Sequence, residues 1–335
     1  MNVHRCIVPA LVLAGLLVAA PDAPARVVRL AEMNTAQIRA LDRAHTAVIL
    51  PGGIVEEHGP YLPAFSDGYY NEYLAGELAR AIGARPGWTA VVFPTIPLGS
   101  GGANEIGGRF AFPGTYAVRP ATLRAVFMDL ADGFGEQGFR WLFVVHAHGS
   151  PDHNRALDQA GDYFHERYGG GMVNLWGLMV DEGRERLLES ALGAEGMAEN
   201  GFTVHGGAAE HSMILSLRPD VVSDAIHSAG PVSAAKPADL AEIAARDDWP
   251  GYFGSPRLAS RELGRKLLEA SVNARVKAAL EILDGRDPAG FRRYADVMAG
   301  VPAIEDVMRR SRRHGAAREK AQSGWLSRPP AAARK

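Results

Sequence analysis

Three short stretches of this sequence carry side chains that could do chemistry together. The first, residues 49–67, holds Glu56, Glu57, His58, Tyr61 and Asp67. The second is His146-Ala147-His148-Gly149, with Ser150 and His153 just beyond. The third, residues 204–211, holds His205, Glu210 and His211. Carboxylates mixed with imidazoles form the donor set that suits zinc, manganese or iron. Glu56 and His58 are two positions apart, so on an extended loop both point to one side. Asp67 opens a helical pattern, where the helix dipole favours a carboxylate that could also bridge two cations. Each residue also has a plainer reading. Asp67 could serve only as an N-cap, His58 as a polar loop residue, and Tyr61 either as a pocket residue or as a loop aromatic. Glu57 is read as solvated. His146 either backs a ligand or packs against the sheet, His153 begins a helix, and His211 is structural on a helix. Convergence favours the metal reading, because His148 follows a second buried strand just as Glu56–Asp67 follows a first.

Positioning these loops falls to an alternation of apolar runs and amphipathic helices. Residues 46–50, 88–93, 141–145 and 172–179 are apolar runs, while 68–82, 119–137 and 153–168 have helical spacing. Parallel strands buried on both faces read as unbroken apolar runs, and their alternation with helices marks a βαβ architecture. The sequence therefore predicts an α/β fold, three-layer α/β/α with a mainly parallel central sheet. In such sheets ligands bind beyond the carboxyl ends of the strands, where the first two loops lie. Residues 34–43 are weakly helical, 182–200 helical but broken by glycine, and 212–217 and 260–283 helical.

The 335 residues can bury a large core, and the 47% apolar and 22% charged content is ordinary for a globular protein. A formal net charge of -2 gives no case for nucleic acid or a membrane surface as partner. The N-terminus reads as a signal peptide over residues 1–25. Arg5 precedes the apolar stretch 6–20, which is too short to span a bilayer comfortably, and Ala23-Pro24-Ala25 has the small-x-small form of a cleavage site. An exported protein, periplasmic or secreted, is expected, with a retained N-terminal anchor as the alternative. The single cysteine, Cys6, lies in this segment, so the mature chain has neither disulfide nor thiolate chemistry. Residues 26–300 are read as one catalytic domain. From residue 301 the chain is rich in Arg and ends near Pro329-Pro330, which reads as a basic, disordered tail over 301–335.

Glu56-Glu57-His58-Gly59-Pro60-Tyr61-Leu62-Pro63 with Asp67 resembles the signature of the creatininase family of metal-dependent amidohydrolases. Phe112-Pro113-Gly114-Thr115, His148-Gly149 and the stretch His205-Gly206-Gly207-Ala208-Ala209-Glu210-His211-Ser212 resemble later family motifs, in order. The resemblance implies the three-layer fold and a homo-oligomer, commonly a hexamer. It places metal ligands for one or two divalent ions (Zn, Mn or Fe) on Glu56, His58, Asp67 and His148, with Asp67 bridging. It places catalysis on His205 and Glu210. Tyr61, Glu105 and Ser150 fall at altered positions of the substrate pocket. Tyr61 stands where the family has a second His, Ile106 follows Glu105 in place of a His, and Ser150 stands where creatininase carries a metal-binding Glu. The metal shell thus reads as mostly kept and the substrate shell as changed, which makes creatinine itself an unexpected substrate. The expected activity is hydrolysis of a non-peptide C–N bond in a cyclic amide or formamide-type small molecule by a metal-activated water. A catalytically degenerate periplasmic metal-binding or small-molecule-binding protein on the same scaffold is the alternative. Stable membrane insertion is not expected.

Overall fold

The computed structural model describes residues 26–328. The signal-peptide reading and the Pro329-Pro330 end lie outside them. In chain order the elements are β1 (Arg26–Arg29), α1 (Thr35–Arg39), β2 (Thr46–Pro51), α2 (Ser66–Gly83), β3 (Thr89–Val92), α3 (Pro120–Gly135), β4 (Trp141–Val145) and α4 (Pro151–Tyr168). There follow β5 (Gly171–Asn174), α5 (Arg184–Asn200), α6 (Ala208–Leu217), α7 (Asp239–Ala245), α8 (Arg261–Leu283), α9 (Tyr294–Met298) and α10 (Pro302–Leu326).

The five strands form one sheet in the order β1-β3-β2-β4-β5, with every pair parallel. Every residue of β2 is buried. Side chains alternate across a strand, and the two cores follow from that. Ala47 and Ile49 of β2, with Phe143 and Val145 of β4, meet Leu74 and Leu78 of α2 and Leu263 and Leu267 of α8. Val48 and Leu50, with Leu142 and Val144, meet Leu123 and Phe127 of α3 and Leu157 and Phe164 of α4 on the other face. Helices thus cover both faces, the α/β/α sandwich expected.

Chain direction across the sheet reverses at β2 and β4. From β2 the chain passes to β3 on one side and then crosses back to β4 on the other. The register pairs Pro51, the last residue of β2, with Val145, the last of β4. Their following loops therefore leave at the same height and diverge, opening a crevice at the switch point. Both loops rich in His and carboxylate start there.

Three readings need correction. The apolar run 172–179 is not all strand: β5 ends at Asn174, and the chain then turns into an isolated bridge between Leu178 and Arg293. The short edge strand β1 is absent from the sequence reading, because it has only four residues and only one of them is even half-buried. The disordered-tail reading fails for 302–326, which form the helix α10. Its basic residues are not simply solvated: Arg312 makes a two-pronged ion pair with Asp152 at 2.6 and 2.8 Å, and Arg310 donates to the Ile106 carbonyl at 2.9 Å. Met308 is buried, and Ile304, Val307, Met308 and Ser311 recur at helical spacing along one face. Among the described residues no helix is long and apolar enough to cross a membrane.

Candidate metal centre

Glu56, His58, Asp67, His148 and His205 meet in the switch-point crevice. Glu56, Asp67 and His148 can offer ligand atoms within 4.8 Å of one another, and so can Glu56, His58 and His205. Glu56 belongs to both groups. The Asp67 carboxylate lies between two imidazoles, Oδ1 at 3.5 Å from His58 Nε2 and Oδ2 at 3.1 Å from His148 Nδ1. Glu56 Oε2 is 3.2 Å from the same His148 nitrogen, and Glu56 Oε1 is 3.8 Å from His205 Nδ1. Asp67 lies in the first turn of α2, as its helical reading required.

Each imidazole is held from behind by a backbone carbonyl. His58 Nδ1 donates to the Glu56 carbonyl at 3.1 Å, His148 Nε2 to that of Gly101 at 2.9 Å, and His205 Nε2 to that of Glu57 at 2.6 Å. A carbonyl can only accept, so these bonds fix which nitrogen carries the proton. In the neutral rings the other nitrogen then aims a lone pair at carboxylate oxygens. Such an arrangement is repulsive unless the rings take a second proton or a cation sits among them. Outer contacts of this kind orient metal-binding histidines. Gly101, with φ +80°, also makes room: a Cβ there would lie 2.2 Å from Ser150 Oγ.

The electrostatics point the same way. Burial pushes the His148 pKa down, but Glu56 and Asp67 outweigh it and hold this group well above the usual imidazole range. Burial likewise opposes the charged form of His205, and Glu56 and Glu57 raise it well above that range. Burial would raise Glu56 and Asp67, yet the facing histidines hold both carboxyls below the ordinary range. Glu56 is buried; Oε1 accepts from the Ala103 N–H at 2.5 Å, while Oε2 faces only His148 Nδ1, at 3.2 Å, and has no donor there when that ring is neutral. A buried carboxylate oxygen without a donor is costly unless a cation serves it. The donor set therefore fits a divalent ion, which would take the place of the extra protons.

The structure brings all four predicted ligands together and adds His205, which the sequence had placed only in catalysis. Glu210 lines the cavity beside them and is held by the Gly206 N–H at 2.5 Å. Glu105 and Ser150 also line it. Tyr61, also read as a possible pocket residue, does not: its ring packs near Tyr252 and His211, and its carbonyl accepts from Ser223 N–H at 2.9 Å. Glu57 was read as solvated and is buried, 3.4 Å from His205 Nε2, with its pKa raised by burial against the pull of His205. His146 packs behind the cluster against Phe127 and His153, and burial, reinforced by His148, drives its pKa down to about 3. His153 lies in α4 and His211 in α6, both buried. The cavity has a volume of about 750 Å³, and its wall includes Ile304, Val307, Met308 and Ser311 of α10.

A parallel α/β/α sandwich with carboxylates and imidazoles gathered at its switch point is the framework of a metal-dependent hydrolase. The creatinine amidohydrolase family model matches residues 31–279, most of the chain. The chain belongs to the creatininase family. It is 28% identical over 244 residues to the creatinine amidohydrolase of Pseudomonas putida, covering 70% of this chain and 88% of that one. It is 25% identical over 247 residues to a mycofactocin precursor peptide peptidase of Mycolicibacterium smegmatis, covering 72% and 87%. Among solved structures, a creatininase designated Mn superposes with a TM-score of 0.58 at 24% identity, covering 77% of this chain and 99% of that one. A Zn–Zn form of a creatininase mutant gives 0.54 at 22%, covering 76% and 98%. Those two structural likenesses carry the fold.

Proposed function

We propose that this chain hydrolyses a non-peptide C–N bond of a small-molecule amide, with one or two divalent ions held by Glu56, His58, Asp67 and His148 and completed by His205. The observation that carries this reading is the set of three imidazoles, each pinned by a carbonyl and aimed at Glu56 or Asp67. A divalent cation bound there supplies an acidified water and a Lewis-acid contact for the amide carbonyl. The creatininase relatives designated Mn and Zn–Zn support manganese or zinc as that cation.

The remaining steps belong to the chain itself. Glu210 has one oxygen tied to the Gly206 N–H and lines the cavity, placed to hand a proton to the departing nitrogen. His205 turns Nδ1 towards Glu56 and can relay that proton from the cluster. Glu57, buried against His205 Nε2, favours the protonated ring and holds its orientation.

The test is elemental analysis of the purified protein together with turnover of a panel of cyclic amides and formamides. Stoichiometric metal is expected in the native chain and lost in Asp67→Ala and His148→Ala. Retention of metal by both variants would remove the ligand assignment. Ser150, standing where an acidic ligand was expected, favours a non-catalytic metal-binding protein; turnover of any panel member, lost in His205→Ala, excludes that second reading. Export rests on the 6–20 apolar stretch and Ala23-Pro24-Ala25, and N-terminal sequencing of the expressed protein tests it, with Arg26 as the expected first residue. The family resemblance supports a homo-oligomer, which light scattering on the purified protein measures.

A further inference from the structure

The family match ends at residue 279, yet the cavity is closed by residues beyond it. Helix α10 supplies Ile304, Val307, Met308 and Ser311 to the wall. It is fastened to the parts that build the metal centre. Arg312 holds Asp152, four positions after His148, and Arg310 caps the Ile106 carbonyl in the turn whose Ala103 N–H holds Glu56. His314 stacks on Phe110, with ring centroids 4.1 Å apart and planes 7° from parallel. Arg119, before α3, pairs with Glu319 at 3.1 Å.

The same cavity holds three large apolar side chains that are left open. Met179 and Val204 are each 44% exposed and Phe202 is 40% exposed, and all three line it. Clustered exposed apolar groups beside an active centre mark a binding surface. A volume of about 750 Å³ lies in the range that encloses drug-sized ligands, well beyond a single small polar ring.

We propose that α10 is the specificity wall of this hydrolase, and that Ile304, Val307 and Met308 together with Met179, Phe202 and Val204 form an apolar slot for the bulky alkyl or aryl group of an amide whose C–N bond is cut at the metal centre. The reaction rests on the hydrolase reading above; the slot itself is tested separately, by binding. Each methylene that enters such a slot strengthens binding about three- to fourfold.

The experiment uses the full mature chain, metal-loaded, and two series. One is N-acyl anilides from formyl to octanoyl, assayed for turnover. The other is straight-chain carboxylates from acetate to octanoate, titrated calorimetrically, which needs no turnover. The expected result is kcat/KM rising and Kd falling severalfold per methylene through at least four carbons. Val307→Asp, on a half-buried wall position, is expected to abolish the chain-length gradient in both series while leaving the metal content unchanged. Ile304→Ser serves as the milder second variant and flattens the gradient in part. A flat binding series in the native chain overturns the slot, whether or not any amide is turned over. A gradient untouched by both α10 variants overturns the role of the helix. Peptides cleaved faster than every acyl anilide would overturn the substrate class. Absence of turnover with a steep binding gradient would count against the hydrolase reading and leave the slot standing.

Discussion

Asp67→Asn removes one charge and almost no volume from the centre. The two oxygens of Asp67 serve different imidazoles, His58 at 3.5 Å and His148 at 3.1 Å, so the substitution weakens both halves of the ligand set. Loss of an outer contact to a metal ligand typically costs 10- to 100-fold in affinity, so loss of a ligand charge is expected to cost at least about 100-fold. With free Mn²⁺ or Zn²⁺ held at about 100 times the native Kd, binding stabilises the native protein by about 2.7 kcal/mol. For a chain of this size that raises Tm by about 4 °C. In the variant the same ion concentration only equals the new Kd, leaving about 0.4 kcal/mol and a rise of about 1 °C. Thermal unfolding with and without ion, each variant compared with its own chelated form, reads this directly. A metal-dependent rise in Asp67→Asn equal to that of the native chain would refute the claim that Asp67 is a ligand.

Three further outcomes follow from the geometry. His205→Ala is expected to lower kcat by about 10²–10⁴ while an ion stays bound through Glu56, Asp67 and His148, as steady-state kinetics and elemental analysis will show; an unchanged kcat contradicts the relay. In the chelated protein the folded-state pKa values of His148 and His205 lie above their unfolded values, so their stabilisation is complete below about pH 6.5 and is lost as pH rises through the raised values. The folded pKa values of Asp67 and Glu56 are depressed, so their share is present above about pH 4 and lost as pH falls below it. Tm of the chelated protein should therefore fall as pH rises above about 6.5 while that of the loaded protein does not, and parallel profiles would contradict a cation in this cluster. Gly264→Ala would set a Cβ 1.8 Å from the Ser212 carbonyl oxygen, forcing α8 away from the helix that carries Glu210. Denaturant unfolding should show a loss of about 1–3 kcal/mol; a neutral result would mean that the two helices separate freely.

The parts of the molecule legible in the sequence are those that local pattern controls. β4 was read as 141–145, its observed span, because a wholly apolar strand between two helices has no competing reading. The ligand residues were legible because strand ends in a parallel sheet share one edge, and that topology alone places His148 beside Asp67. What could not be read depends on partners far along the chain. Glu57 differs from a solvated glutamate only through the burial that brings His205, 148 positions away, against it. The second use of His205, facing Glu56, needed the loop before α6 to fold back onto the first loop. α10 carried its signal in Ile304, Val307 and Met308, but the run of arginines that follows them masked it, and the partners of Arg312 and Arg310, Asp152 and the Ile106 carbonyl, are visible only in three dimensions. Tyr61 shows the opposite error: a position inside a motif does not direct a side chain, and this ring turned towards Tyr252.

The three carbonyls that pin the imidazoles come from two different segments, Glu56 and Glu57 from one and Gly101 from the other. Of the rings they hold, His58 sits in the first of these segments, while His148 and His205 come from two others. His148 and His205 each depend on a carbonyl from a distant segment, whereas His58 is held within its own loop. Capture of the ion is expected to follow the docking of these segments, and its release to be slowed by the two long-range braces. Exchange with free cation should then run at the pace of loop opening, far slower than diffusion, and a chelator should strip the protein at a rate that does not depend on the chelator's concentration.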